Sequence, residues 1–235
     1  MRSACPDHYT GPEVRDGMTG WQSHFLYRKE VWKTTWKLRL SVVLFFVVAV
    51  ILTRSFLTDR IGQSLVCEER ADPSDALLME NFDPDYLVFE RTAALKSAGV
   101  ASRVVVPVWS SSDPTQTNAS SLGVVSEFAR VARLSDITPV PTVETEPIAL
   151  NVAKTIRDYL VKEHIRSVVV VTPGFRSRRS VLIYNAVFAP VGIKFGCVPV
   201  FGKQTPQNWS QTWHGIQDIF LQIGKLEYYR FYVLS

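Results

Sequence analysis

Three arginines, Arg176, Arg178 and Arg179, follow directly on Thr172-Pro173-Gly174, and here residue types and spacing point to chemistry. Arg forks bind phosphate or carboxylate bidentately. A helix start adds unpaired N–H groups and the positive end of the macrodipole. Arg176 and Arg179 stand three residues apart on one helical face, and Arg178 is rotated away from them. Cations at this end oppose the dipole, which makes sense where they meet an anion; the alternative is that the three merely solvate a surface helix.

Glu80, Asn81, Glu144, Glu146 and Thr172 close predicted strands or open the segments after them. In an open α/β sheet such positions gather in one crevice beyond the strand carboxyl ends. There Arg176 and Arg179 would hold an anion, while Glu144 or Glu146 would act as base or carry a metal ion. The competing reading is that these acids and bases neutralise one another as structural ion pairs.

These residues need a scaffold. The Val168–Val171 run has no polar face, as expected of a strand buried on both sides in a parallel sheet. Ser167 to Thr172 is therefore a predicted strand. Arg176 to Phe188 is a predicted helix, with apolar residues at Val181, Ile183, Tyr184, Val187 and Phe188. Upstream, Ala76 to Met79 reads as the first strand, Tyr86 to Ala98 as a helix closed by Gly99, and Val104 to Val108 as the second strand. The polar stretch from Ser110 to Gly123 reads as a long loop, a candidate lid, followed by a helix near Val125 to Leu134 and a third strand, Val140 to Glu144. Asn151 to Glu163 reads as a helix and Ile193 to Phe201 as a fifth strand. This alternation predicts an α/β, Rossmann-like parallel sheet of about five strands with helices on both faces. In the aromatic tail from Trp209 to Ser235, the stripe Ile216, Ile219, Phe220 and Ile223 reads as a packing face.

Leu38 to Leu57 is a membrane-span candidate. Its uncharged centre, Leu40 to Thr53, is short against the ~20 residues of a full crossing, but Arg39 and Arg54 can snorkel to the two interfaces. No small-residue cleavage site follows, which favours an uncleaved signal anchor. Arg28, Lys29, Lys33, Lys37 and Arg39 precede the core, so the positive-inside bias places the N-terminus in the cytoplasm and the rest of the chain outside. The expected organisation is a largely disordered tail over 1–37, a span over 38–57, a linker over 58–73 and an α/β domain over 74–235. Trp21, Trp32 and Trp36 among the preceding basic residues suit a headgroup region.

Composition narrows the classes. With 46% hydrophobic residues and 20% charged, 235 residues can bury a full core beside an attached segment. A net charge of +4 without a basic stripe does not support nucleic-acid binding. Cys5, Cys67 and Cys197 show neither metal-ligand spacing nor a disulfide framework. Cys197 reads as a small buried hydrophobe, with pairing to Cys67 left open. No Walker loop and no G-x-G-x-x-G occurs, so a nucleotide or S-adenosylmethionine site is the weaker reading, and the cofactor is unknown.

At Asp75-Ala76-Leu77-Leu78, Arg91 to Gly99, Glu144 to Asn151, and Val170-Val171-Thr172-x-x-Phe175-x-x-x-Arg179, the order and spacing resemble the YdcF/SanA/ElyC family of bacterial envelope-associated proteins. That resemblance covers about Asp75 to Phe201. It implies a Rossmann-like domain behind one inner-membrane anchor, with a role near peptidoglycan or lipid-carrier metabolism. It also implies a polar set comprising Arg91, Glu144, Thr172 and Arg179. This chain departs from the family at three places: Glu80-Asn81-Phe82 stands where glycines are usual, Arg176 stands where a His is usual, and Ile148-Ala149-Leu150-Asn151 stands where a Thr/Asn motif usually opens the helix. The implied ligand is a phosphate-bearing or lipid-linked envelope intermediate, and joining the matched residues to those at the strand ends gives Glu80, Asn81, Arg91, Thr172, Arg176 and Arg179 as the set expected to hold it. The alternative is a non-catalytic, membrane-tethered scaffold.

Overall fold

The computed structural model describes residues 35–83 and 85–235. Of the expected disordered tail over 1–37, residues 1–34, with Trp21, Trp32 and the basic residues Arg28, Lys29 and Lys33, lie outside the described residues, whereas Trp36 and Lys37 already belong to the first helix. Two compact units divide between Val50 and Ile51.

The first described element is a helix, α1 (Trp36–Ser64), of 29 residues. At 1.5 Å per residue it runs about 43 Å, longer than the ~30 Å hydrocarbon core. Its apolar side chains, Phe45, Phe46, Ile51 and Leu52 among them, are exposed. Among the described residues it is the one helix long and apolar enough to cross a membrane. It does not stop at Leu57. The helix runs on through the first part of the expected linker, and the residues after it pack on the α/β domain, with Leu65 and Cys67 buried.

The unit Ile51–Ser235 is built on five parallel strands: β1 (Ala76–Met79), β2 (Arg103–Trp109), β3 (Ile137–Thr142), β4 (Ser167–Pro173) and β5 (Lys194–Val200). They lie in the order β3-β2-β1-β4-β5, with Leu77 opposite both Val104 and Val169, and Val170 opposite Cys197. The chain runs outward from β1 to β3 and then returns to place β4 against the other edge of β1. The β1/β4 boundary is thus the topological switch point, where open α/β sheets hold their ligands.

Five helices complete the domain: α2 (Tyr86–Ser97), α3 (Ala119–Val131), α4 (Ile148–Lys162), α5 (Ser177–Phe188) and α6 (Trp213–Tyr228). Strand residues alternate between two cores. Leu77, Met79, Val104 and Val169 meet Val88 and Phe89 of α2 and Val125 of α3. Leu78, Val105 and Val170 meet Ile156 of α4 and Ile183, Tyr184 and Phe188 of α5. Helices therefore cover both faces, as a fully apolar strand run requires. A third cluster joins Leu65, Phe175 and Trp209 to Ile219 and Leu226 of α6.

Several expectations shift. The helix α3 begins at Ala119, because the Asn118 side chain accepts the N–H groups of Ser120 and Ser121 and caps it. The loop before it is correspondingly shorter and is tied down: Asp113 accepts from the Thr115 N–H and hydroxyl and from Gln116, and the Asn118 N–H returns to the Trp109 carbonyl. The strand β3 ends at Thr142, which leaves Glu144 beyond the strand. Cys197 is not a lone buried thiol. It is bonded to Cys67 across a sequence separation of 130, with Cα atoms 6.4 Å apart. The chain leaving α1 runs beside β5, where the Arg70 N–H donates to the Cys197 carbonyl at 2.8 Å and brings the two cysteines together.

Candidate functional site

The candidate site starts under the switch point. Glu80 directly follows β1 and is 5% exposed. Its Oε2 accepts the hydroxyl of Thr172, at the end of β4, and the hydroxyl of Ser180 in α5 at 2.8 Å. Tyr184, fully buried on the same helix, faces this carboxylate. Burial and then the Glu80 charge push its phenol well above the usual tyrosine range. A buried carboxylate held by two hydroxyls makes this corner a fixed polar floor.

Above it opens a cleft of about 490 Å³. One wall carries Arg176 and Arg179, a second Phe82, Asp83 and Trp109, and a third Glu144, Glu146 and the start of α4 at Ile148 and Ala149. The end of α6 and the turn after it close the cleft with Lys225, Tyr228 and Tyr229. Arg178 is exposed outside, as the helical spacing requires.

The two cleft arginines differ. Arg176 forms an ion pair with Asp83, whose side chain is 81% exposed. Arg179 is 8% exposed, and among the described residues no carboxylate forms an ion pair with it. Its guanidinium lies over the Tyr229 ring, 5.9 Å from the centroid. Burial first, and the neighbouring Arg176 charge second, lower its pKa from the ordinary arginine value. A desolvated guanidinium beside a second cation is a site that an anion relieves.

The helix starts around this edge also differ. Asp85 caps α2 and Asn118 caps α3, whereas Pro147 gives α4 no side-chain cap. At the start of α4, the Ala149 N–H donates to the Tyr229 hydroxyl at 3.1 Å, and the Ile148 N–H reaches Glu146 at 3.4 Å. The starts of α4 and α5 both line the cleft, and the first two N–H groups of α4 are already taken by Glu146 and Tyr229.

Of the sequence-predicted site residues, Glu144, Glu146, Arg176 and Arg179 line the cleft together, and Glu80 and Thr172 form the floor beneath it. Asn81 is buried and lines a neighbouring hollow of about 230 Å³ with Trp109 and Ser120. Arg91 is not brought to the cleft; it sits on α2 and pairs with Glu69 at 2.7 Å. Under the competing ion-pair reading Glu144 or Glu146 would pair with the cleft arginines; among the described ion pairs neither does, and Arg176 pairs with Asp83 instead. Sequence reasoning missed Asp83, Trp109, Ser180, Lys225 and Tyr229. Tyr229 alone had a signal, the aromatic tail, and that tail reads equally as packing. Among the described residues, no group of three or more His, Cys, Asp or Glu side chains converges to hold a metal ion.

Fold and site together define a parallel α/β domain with a mixed-charge cleft at its switch point, carried behind a helix able to cross a membrane. No protein-family model and no curated protein sequence matches the chain.

Proposed function

We propose that this protein is a single-pass, membrane-anchored relative of the YdcF/SanA/ElyC proteins whose cleft binds the phosphate of a cell-envelope intermediate. The observation that carries the reading is Arg179, a buried guanidinium that forms no ion pair with a carboxylate among the described residues, set beside Arg176 in the cleft wall. The anion sits against Arg176 and Arg179 on the cleft wall. Trp109, Phe82 and Tyr228 offer apolar and aromatic surface to the remainder of the ligand. Should the ligand be turned over, Glu144 and Glu146 are the general-base candidates, since Asp83 is engaged by Arg176.

The domain lies outside the inner membrane, with the N-terminus in the cytoplasm. The basic residues before Leu40 support that orientation. So does the Cys67–Cys197 bond, because structural disulfides persist in oxidising compartments. A fusion of alkaline phosphatase after Ser235 in a bacterial host is expected to be active; a stable but inactive fusion overturns the orientation.

Thermal melts of the full chain in detergent test the binding reading against a polyprenyl phosphate, inorganic phosphate, a nucleotide and S-adenosylmethionine. A ligand at 100 times its Kd adds about 2.7 kcal/mol of stability. A shift with the phosphate compounds that Arg179→Met abolishes is the expected result. A shift with no ligand favours the second reading, a tethered scaffold, for which the exposed Phe231 and Tyr232 would supply contact surface.

A further inference from the structure

The helix α6 is apolar on two faces. Its inner face, Gly215, Ile219, Gln222 and Leu226, is buried, and Ile219 and Leu226 cluster with Leu65, Phe175 and Trp209. Its outer face carries Trp213, Ile216, Gln217, Phe220 and Leu221 around an open apolar hollow, at the i, i+3, i+4, i+7, i+8 spacing of a single helical stripe. Trp213 is 67% exposed and Phe220 68%. Large aromatic side chains in one exposed stripe mark a binding surface and not ordinary scatter.

The start of α6 is tied to the end of α1. The Trp209 indole N–H donates to the Thr58 carbonyl at 2.9 Å, and the Gln207 amide donates to Asp59 at 3.2 Å. One turn further on, Gly62 lets the Pro206 backbone approach so closely that a Cβ there would lie 2.7 Å from its carbonyl oxygen. Thr58 directly follows Leu57, the last residue of the apolar stretch, so these bonds form where α1 leaves the hydrocarbon. Trp213 comes four residues after Trp209, within about 14 Å even at full extension. Interfacial helices sink ~5–10 Å into the headgroup boundary and favour Trp and Phe on the buried side.

We infer that the outer face of α6 is a membrane-docking surface, seated in the headgroup layer of the bilayer that α1 crosses. Its occupant is lipid and not a second copy of the chain. The stripe offers five residues, where a standard protein interface engages about 20–30 a side. The inference rests on α1 as a span and not on any ligand in the cleft, so the unliganded protein tests it.

The test uses the full chain with Cys5→Ser, reconstituted in vesicles of phosphatidylcholine and phosphatidylglycerol, with the Cys67–Cys197 bond left oxidised. A polarity-sensitive fluorophore is attached through Phe220→Cys, or in a second sample through Leu221→Cys. Val161→Cys, an exposed apolar position near the carboxyl end of α4, serves as control. The label on α6 is expected to show blue-shifted emission and to lose most of it to lipids spin-labelled next to the headgroup, while the Val161 label keeps its emission. Equal quenching at both places, or none on α6, overturns docking. A blue shift that fades as protein is diluted into more lipid assigns the face to a second copy and also overturns it.

Discussion

Arg179 and Tyr229 meet across the cleft, with the guanidinium 5.9 Å from the ring centroid, while the Tyr229 hydroxyl accepts the Ala149 N–H at 3.1 Å. One tyrosine therefore joins α5, α4 and the turn that follows α6. A desolvated cation over an aromatic face gains about 2 kcal/mol, short of the several kcal/mol that taking an ion out of water costs. The arrangement leaves the guanidinium's donors free toward the cleft. Tyr229 stays neutral there, its pKa raised chiefly by burial.

This arrangement separates stability from binding. Arg179→Met keeps the volume and removes a buried charge that forms no ion pair among the described residues, so the melting temperature is expected to hold or rise. Affinity for inorganic phosphate or a phosphate ester is expected to fall about ten- to a hundredfold, the loss of one charge-assisted hydrogen bond. Calorimetric titration checks the second effect, with Arg178→Ala as control because that residue points away from the cleft. A variant that unfolds would show that Arg179 holds the fold and does not serve a ligand. Equal losses from Arg178→Ala would reduce the signal to general charge.

Asp83 competes with any anion for Arg176. Because the Asp83 side chain is largely exposed, the pair contributes at most about 1 kcal/mol to stability. Asp83→Asn is therefore expected to leave the urea midpoint almost unchanged while tightening phosphate binding several-fold, since it frees Arg176 and removes a negative charge from the cleft. Weaker binding in the variant would mean that Asp83 orients Arg176 for the ligand.

What the sequence made legible follows the range of the interactions involved. Residues Ala76 to Met79 are readable as a strand because all four are apolar and all four are buried. The carboxyl-edge placement of Thr172, Arg176 and Arg179 is readable because a strand, a turn and a helix start follow one another directly. The start of α3 is hidden because its cap, Asn118, sits among Ser and Thr residues that look like loop. Longer-range partners leave no local trace. Arg91 meets Glu69 across 22 residues, Ala149 meets Tyr229 across 80, and Cys67 meets Cys197 across 130. The cleft's third wall depends on the second of these, and so lies beyond any reading of periodicity.

The Cys67–Cys197 bond closes a loop spanning 130 residues. In the chain-entropy account, a loop of that size contributes about 4–5 kcal/mol by restricting the unfolded chain. Urea unfolding with and without reductant is expected to differ by that order, and Cys67→Ser should reproduce the reduced protein. Identical curves, with both thiols free before reductant is added, would show that the cysteines do not pair.

Tyr184 is fully buried beside Glu80, and its phenol is raised well above the ordinary value near 10 by burial first and the carboxylate second. The folded state therefore keeps the proton at a pH where the unfolded chain releases it. The contribution of Tyr184 is fully present below the unfolded value and is lost as pH rises through the folded one, at up to about 1.4 kcal/mol per pH unit for a single group. Stability of the native protein is thus expected to fall as pH climbs above about 10, and Tyr184→Phe should flatten that decline while changing little at neutral pH. Tyr232, which is 80% exposed, supplies the control: Tyr232→Phe should leave the slope as it is. Urea midpoints measured across the alkaline range read the slope directly. If Tyr184→Phe and the native protein decline in parallel, the phenol ionises in the folded state without resistance, and the rigid polar floor drawn around Glu80 is wrong.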